Sequence, residues 1–245
     1  GNEESVGKAI AESGVPRKDI WVTTKLWDTH HGYSEAREAL EVSLRRLKLD
    51  YIDLYLVHSP NTGKLVETWD SLRQLQKEGK IRSIGVSNYG VAHMEALRTH
   101  GRALPAVNQI EMHPLNYKER VDVLEYCQQH GILVQAYGSL FAGKVELLER
   151  PEVQKVVAAH PGRTAAQVLL RWGLQMGFQI IPKSTKQLRI QQNLEVLDFT
   201  LSEAEMATLT TMQGTLGAYW QPLSAAVDIG DTSKGHPEAL DGIEL

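Results

Sequence analysis

Ile20-Trp-Val-Thr-Thr-Lys-Leu-Trp27 and Tyr51-Ile-Asp-Leu-Tyr-Leu-Val-His58 are two apolar, β-branched and aromatic runs, each short enough to be one strand. Between them Ala36, Ala39, Leu40, Leu44 and Leu47 recur at helical spacing, with charges on the opposite side. Strand, helix and strand within one cycle of about 30 residues is the size of a βαβ unit, in which the two strands run parallel. The pair of runs therefore predicts an α/β chain built on a parallel sheet.

Working outward, the same alternation continues. Leu65, Trp69, Leu72 and Leu75 mark a helix that stops at Gly79, where a left-handed C-terminal cap costs glycine nothing. Strands follow at Ser83 to Ser87, Ala106 to Glu111, Leu133 to Tyr137 and Phe178 to Pro182. Helices are expected near Val91 to Leu97, Lys118 to Gln129 and Thr164 to Gly173, with Gly131 again after a helix end. Leu201 to Met212 opens Leu-Ser-Glu-Ala-Glu, with Ser202 as N-cap and acidic residues favoured by the helix dipole. Gly214 to Leu245 shows no clear period and is expected to be an irregular surface tail.

In the other direction, Glu3 to Glu12 is a helix with Val6, Ile10 and Ala11 on one side, already under way without a strand to feed it. About six strands are visible where a closed (β/α)8 TIM barrel has eight. The expectation is one barrel domain over residues 1–245, with about its first two strands upstream of Gly1 and the tail at 214–245.

The 245 residues are 42% hydrophobic and 23% charged, which suits a sizeable buried core. A net charge of -4 offers no general attraction for nucleic acid or an anionic membrane, so a phosphate would need a local site. Cys127 is the only cysteine, which excludes an internal disulfide and a cysteine-built zinc cluster. No histidine pair has metal-ligand spacing, and no apolar run reaches membrane-spanning length. A monomeric cytoplasmic protein with a small-molecule partner and no metal is the expectation.

Lys25 and His58 each end a predicted strand, and in parallel barrels that end faces the active site. Alone, each is an ordinary polar residue. Tyr137, Ser87 and Asn88 end other strands, however, and Gln109 adds an amide that donates and accepts at once. Ile181-Pro-Lys-Ser-Thr-Lys-Gln-Leu-Arg-Ile-Gln-Gln-Asn193 leaves a strand and enters a helix. Lys183, Ser184, Thr185 and Arg189 there add charge and hydroxyls to the N–H groups of the helix start, a physical recipe for holding phosphate.

Taken in order, from Gly1-Asn-Glu-Glu to Leu201-Ser-Glu-Ala-Glu, these segments resemble the aldo-keto reductase family. The resemblance implies NADPH-dependent reduction of an aldehyde or ketone to an alcohol, with Lys25 and His58 as two members of an Asp, Tyr, Lys, His catalytic group. The family's tyrosine directly precedes a Gly-Asn-Glu sequence, so the tyrosine and aspartate are expected upstream of Gly1. Ser87, Asn88 and Gln109 would hold the nicotinamide carboxamide, Tyr137 would stack on the ring and Leu140 would lie beside the pyrophosphate. Lys183, Ser184, Thr185 and Arg189 would contact the 2′-phosphate, while Gln192 and Asn193 would reach the adenine. Trp27 and Trp220 would line the substrate pocket.

Two departures stand out. Gln192 replaces a commoner glutamate, and Gly138-Ser-Leu-Phe-Ala-Gly143 stands where the family often has Ser-Pro-Leu-Gly or Gly-Pro-Leu-Gly. Two other readings compete with the reductase. One is a catalytically impaired NADPH-binding barrel acting as a binding or sensor protein; the other is a barrel aldolase using Lys25 or Lys183 as a Schiff base.

Overall fold

The computed structural model describes residues 1–214 and 222–232. Its contacts divide the chain into two compact units, Gly1–Asn108 with Pro222–Leu245, and Gln109–Gln221.

In the first unit, helix α1 (Glu3–Glu12) precedes strand β1 (Thr23–Leu26), helix α2 (Tyr33–Leu47), strand β2 (Ile52–Val57), helix α3 (Leu65–Lys77), strand β3 (Ile81–Ser87) and helix α4 (Val91–Thr99). β1 pairs parallel to β2, with Lys25 level with Leu56, and β2 pairs parallel to β3, with Val57 level with Val86. The parallel order follows from the helical crossovers that the sequence spacing requires. All of β2 is buried, and it is flanked on its two edges by β1 and β3. Leu54, Leu56 and Val107 form a packed cluster there, each worth about 1.5–3 kcal/mol by burial.

α1 has the expected span, but its inward residue is Gly7 rather than the apolar trio. A Cβ at Gly7 would lie 2.2 Å from the carbonyl oxygen of Leu47, so only glycine allows this approach to the end of α2. The expected glycine cap at Gly79 is present, with φ 74° and the Lys80 N–H donating to Leu75 O at 3.0 Å. β1 is shorter than the expected 20–27. At its start the Val22 N–H donates to the Asp53 carboxylate at 2.9 Å instead of to a strand. Asp53 also receives Arg17 at 2.7 Å and Arg82 at 2.8 Å.

The described part of the tail has no strand or α-helix and is tied down. The carbonyls of Asp228 and Ile229 accept the N–H groups of Leu65, at 2.9 Å, and Val66, at 3.1 Å, capping the start of α3. Buried His93 accepts from the Gly90 N–H at Nδ1 and lies 2.9 Å from Ala225 O at Nε2. With Nδ1 accepting, Nε2 carries the proton and donates to the tail. Trp220 lies outside the described residues.

Strand β4 (Val107–Glu111) crosses the division of the chain. The second unit continues with helix α5 (Val121–Gln129), strand β5 (Leu133–Tyr137), helices α6 (Pro151–Ala159) and α7 (Ala165–Gln175), strand β6 (Gln179–Ile180), and helices α8 (Gln187–Leu194) and α9 (Glu203–Thr210). β5 and β6 pair parallel only through Gln135 with Gln179 and Ala136 with Ile180, so the run expected at 178–182 is a two-residue strand. α7 and α9 open on reciprocal capping boxes, Thr164 with Gln167 and Ser202 with Glu205. The expected helix at 118–129 begins as a 3-10 turn, Lys118–Arg120, and α6 is an addition. No helix among the described residues is long and apolar enough to cross a membrane.

Candidate active site

β1 delivers Lys25, and β2 delivers His58 one residue beyond its end. The His58 N–H donates to Leu26 O at 3.0 Å, so the two strands release their residues at one level. Lys25, Trp27, Tyr55 and His58 line a cavity of about 700 Å³ that also meets Thr24 and His30. The Trp27 ring stacks on the His58 ring, with centroids 4.5 Å apart and planes 25° apart. Asp28 Oδ1 lies 3.9 Å from His58 Nδ1 and accepts from the Ser59 hydroxyl at 2.7 Å.

This environment shifts two titrations. Burial holds the Lys25 ammonium below the ordinary lysine value. Burial, seconded by the Lys25 cation, holds His58 below the ordinary histidine value against the opposing pull of Asp28. A neutral imidazole beside a cation suits hydrogen bonding to a polarised oxygen. Tyr55 and Tyr89 are different. Burial pushes both phenols well above their ordinary value, which opposes proton transfer near neutral pH.

At the end of β3, buried Ser87 and Asn88 stand side by side. The Asn88 amide donates to Ser87 Oγ at 3.0 Å and to His58 O at 3.1 Å, which ties this corner to the end of β2. Asn88 has φ 60°, a left-handed conformation that asparagine tolerates better than most residues.

In the second unit, Tyr137 ends β5, and Tyr137, Leu140, Ile181 and Lys183 line a cavity of about 440 Å³. A second cavity of about 640 Å³ is lined by Lys183, Ser184 and Asn193 among apolar neighbours including Leu174 and Ile190. Thr185 and Arg189 are exposed, and Gln192 gives its backbone carbonyl to the Gln167 amide at 3.0 Å. α8 starts without a side-chain cap, in contrast to α7 and α9. Ser184 Oγ accepts from the Lys186 N–H at 3.0 Å, one residue before the helix. Among the described residues, Lys183, Lys186 and Arg189 stand in no ion pair with a carboxylate. An uncapped helix start flanked by unneutralised cations is a fit for a phosphate group.

The loop after Tyr137 carries the departure noted in the sequence. Phe141, at a position where the family often has glycine, has φ 53°, and Ala142 has φ 51°. Phe141 keeps this unfavourable backbone because its ring is fully buried, 5.5 Å from the ring of His113. Gln109 is buried within β4 rather than at its end, and its amide donates to Gln135 Oε1. Gln135 went unnoticed in the sequence, since no local spacing links it to Gln109.

A profile described as the Aldo/keto reductase family matches residues 1–213. Glyoxal reductase of Bacillus subtilis is 45% identical over 206 residues, 84% of this chain and 72% of that protein. The 9,11-endoperoxide prostaglandin H2 reductase of Trypanosoma cruzi is 44% identical over 205 residues, again 84% of this chain and 72% of that protein. A crystal structure of a Bombyx mori aldo-keto reductase in complex with NADP superposes with a TM-score of 0.77 at 35% identity, covering 86% of this chain and 75% of that one. The fold class is the (β/α)8 barrel of these proteins.

Proposed function

The chain belongs to the aldo/keto reductase family, and we propose that it is an NADPH-dependent reductase of small aldehydes or ketones, working as a single barrel domain, monomeric and cytoplasmic. The observation that carries this reading is the meeting of Lys25 and His58 at one cavity wall where two parallel strands end.

The cofactor, when bound, supplies a hydride to the carbonyl carbon. The residues of this site bind, orient and stabilise charge, and the proton that turns the alkoxide into the alcohol comes from a general acid outside this set. Neutral His58 orients the carbonyl oxygen through a hydrogen bond, and Lys25 lowers the cost of the negative charge that grows on that oxygen. Trp27 forms an apolar wall that fixes the His58 ring plane and excludes water from it. In the first unit, Ser87 and Asn88 present a hydroxyl and an amide to the nicotinamide carboxamide; in the second, Gln109 presents an amide and Tyr137 a ring face. Leu140 covers the pyrophosphate, and Lys183, Ser184, Thr185 and Arg189 take the adenosine 2′-phosphate at the start of α8. Gln192 and Asn193 meet the adenine. Lys183 and Arg189, which pair with no carboxylate among the described residues, favour NADPH over NADH, because only NADPH brings an adenosine 2′-phosphate to neutralise them.

The test is fluorescence titration of the chain with NADPH, followed by loss of reduced-nicotinamide absorbance when an aromatic aldehyde is added. Saturable quenching followed by turnover supports the reductase. Absence of quenching overturns it.

A further inference from the structure

The described tail is seated on the first unit at points where no side chain fits. A Cβ at Gly90 would collide with Leu223 O, one at Gly63 with the Asp228 carboxylate and one at Gly230 with Lys64 Cα. Gly63 follows β2 and Gly90 follows β3, so the tail crosses the loops that leave the strand ends carrying His58 and Asn88. His93, on the first turn of α4 and without exposed surface, joins the two sides.

Both partners of this imidazole are backbone groups, which cannot exchange donor for acceptor. The Gly90 N–H donates to Nδ1 at 3.0 Å, and Nε2 donates to Ala225 O at 2.9 Å. Only the neutral ring with its proton on Nε2 fits both. A second proton, on Nδ1, sets N–H against N–H at Gly90 and puts a cation at the positive end of the helix dipole. A buried cation also needs water, which it reaches when the tail lifts. Burial accordingly holds His93 below the ordinary histidine value, opposed by the Ala225 carbonyl. The charged groups of the elements around it are engaged elsewhere: Glu67 of α3 with the Tyr33 and Asp231 N–H groups, Asp70 of α3 with Arg102, Lys64 with Glu35, Glu95 of α4 with Arg98, and Asp228 of the tail with the Gly230 N–H. The Tyr89 ring, 5.5 Å from His93, stays neutral because burial pushes its phenol up. We propose that His93 is a pH-operated latch: neutral, it holds the tail across the loops after β2 and β3, and protonated, it lets the tail go. The contribution of the neutral form is fully present above the ordinary histidine value and is lost as pH falls through the lower folded one.

Hydrogen exchange at Leu65 and Val66, whose N–H groups donate to Asp228 O and Ile229 O, reads the seating of the tail. After correction for the intrinsic rate, opening should rise ~3–30-fold between about pH 7.5 and pH 5, the upper figure being the preference of a released histidine for its charged form at the lower pH. His93→Gln, whose oxygen can accept from Gly90 and whose amide can donate to Ala225, should stay closed and lose most of this rise. Gly90→Ala keeps an ordinary backbone, φ -81° and ψ 174°, and leaves the imidazole in place, but its Cβ displaces Leu223. It should open the tail equally at both pH values, and it keeps the test decisive where His93→Gln fails to fold. A parent without the rise, a His93→Gln variant with the parent's pH dependence, or a Gly90→Ala variant that retains that dependence would overturn the latch.

Discussion

The ring of Trp27 lies 4.5 Å from the ring of His58 and within 25° of parallel to it, so the indole is both a wall of the cavity and a cover for the imidazole. Burial is the first cause of the depressed His58 pKa, ahead of the Lys25 charge. Trp27→Ala should therefore move the His58 pKa upward, toward the ordinary histidine range. In the parent, the neutral folded form contributes stability that is fully present above about pH 6.5 and is lost as pH falls through the lower folded pKa. Titration of the His58 ring by NMR in both proteins measures the shift; an unchanged value would show that Trp27 does not desolvate the ring.

Asp53 is a completely buried residue of β2 that accepts from Arg17, Arg82 and the Val22 N–H. Burial by itself raises its pKa, but the Val22 N–H and the two guanidinium groups outweigh it and hold the carboxyl below its ordinary value. Its contribution to stability is present above the unfolded carboxyl value and is lost as pH falls through the folded one. Asp53→Asn leaves the Arg17 charge without its carboxylate and should cost about 3–5 kcal/mol, as breaking buried pairs does. Urea denaturation checks this, and a loss below 1 kcal/mol on the same order-of-magnitude scale would mean that solvent already screens the cluster.

Phe141 opposes two effects. Glycine at this position would relieve a left-handed backbone worth roughly 1–2 kcal/mol, yet would remove a fully buried aromatic ring worth about 3–5 kcal/mol. The ring wins, so Phe141→Gly should be less stable by about 1–4 kcal/mol. A stabilised variant in chemical denaturation would show that the loop is strained without compensation.

Arg189 is exposed on the first turn of α8 and pairs with no carboxylate among the described residues. A charge-assisted bond to phosphate contributes about 1.5–3 kcal/mol, so Arg189→Ala should weaken NADPH binding ~10–100-fold. NADH affinity should not change. Parallel titrations with the two cofactors measure the ratio, and an equal fall for both would remove Arg189 from the phosphate site.

Much of this was legible in the chain itself. The strand Leu133–Tyr137 has the bounds its apolar run implies, and the Ser202 capping box is where its Ser-x-x-Glu pattern places it. Lys25, His58, Ser87 and Tyr137 stand at strand ends as the alternation requires. α6 was missed although Pro151 at its first turn is a helix-start signal, followed by the inward pair Val153 and Val156. What local pattern could not carry is long-range. Asp53 reaches back to residue 22, the tail caps α3 through backbone carbonyls that have no side-chain signature, and the hydrogen bonds of Gln135 to Gln109 and Gln179 join residues far apart in sequence.

The central claim is tested most directly by following the hydride itself. NADPH labelled with deuterium at the transferred position is supplied with an aromatic aldehyde, and the product alcohol is weighed by mass spectrometry. The account predicts one deuterium on the former carbonyl carbon with the parent chain, and a rate lower by about 100-fold or more with Lys25→Ala, whose cavity has lost its cation. Unlabelled alcohol, or a Lys25→Ala variant as fast as the parent, would contradict it.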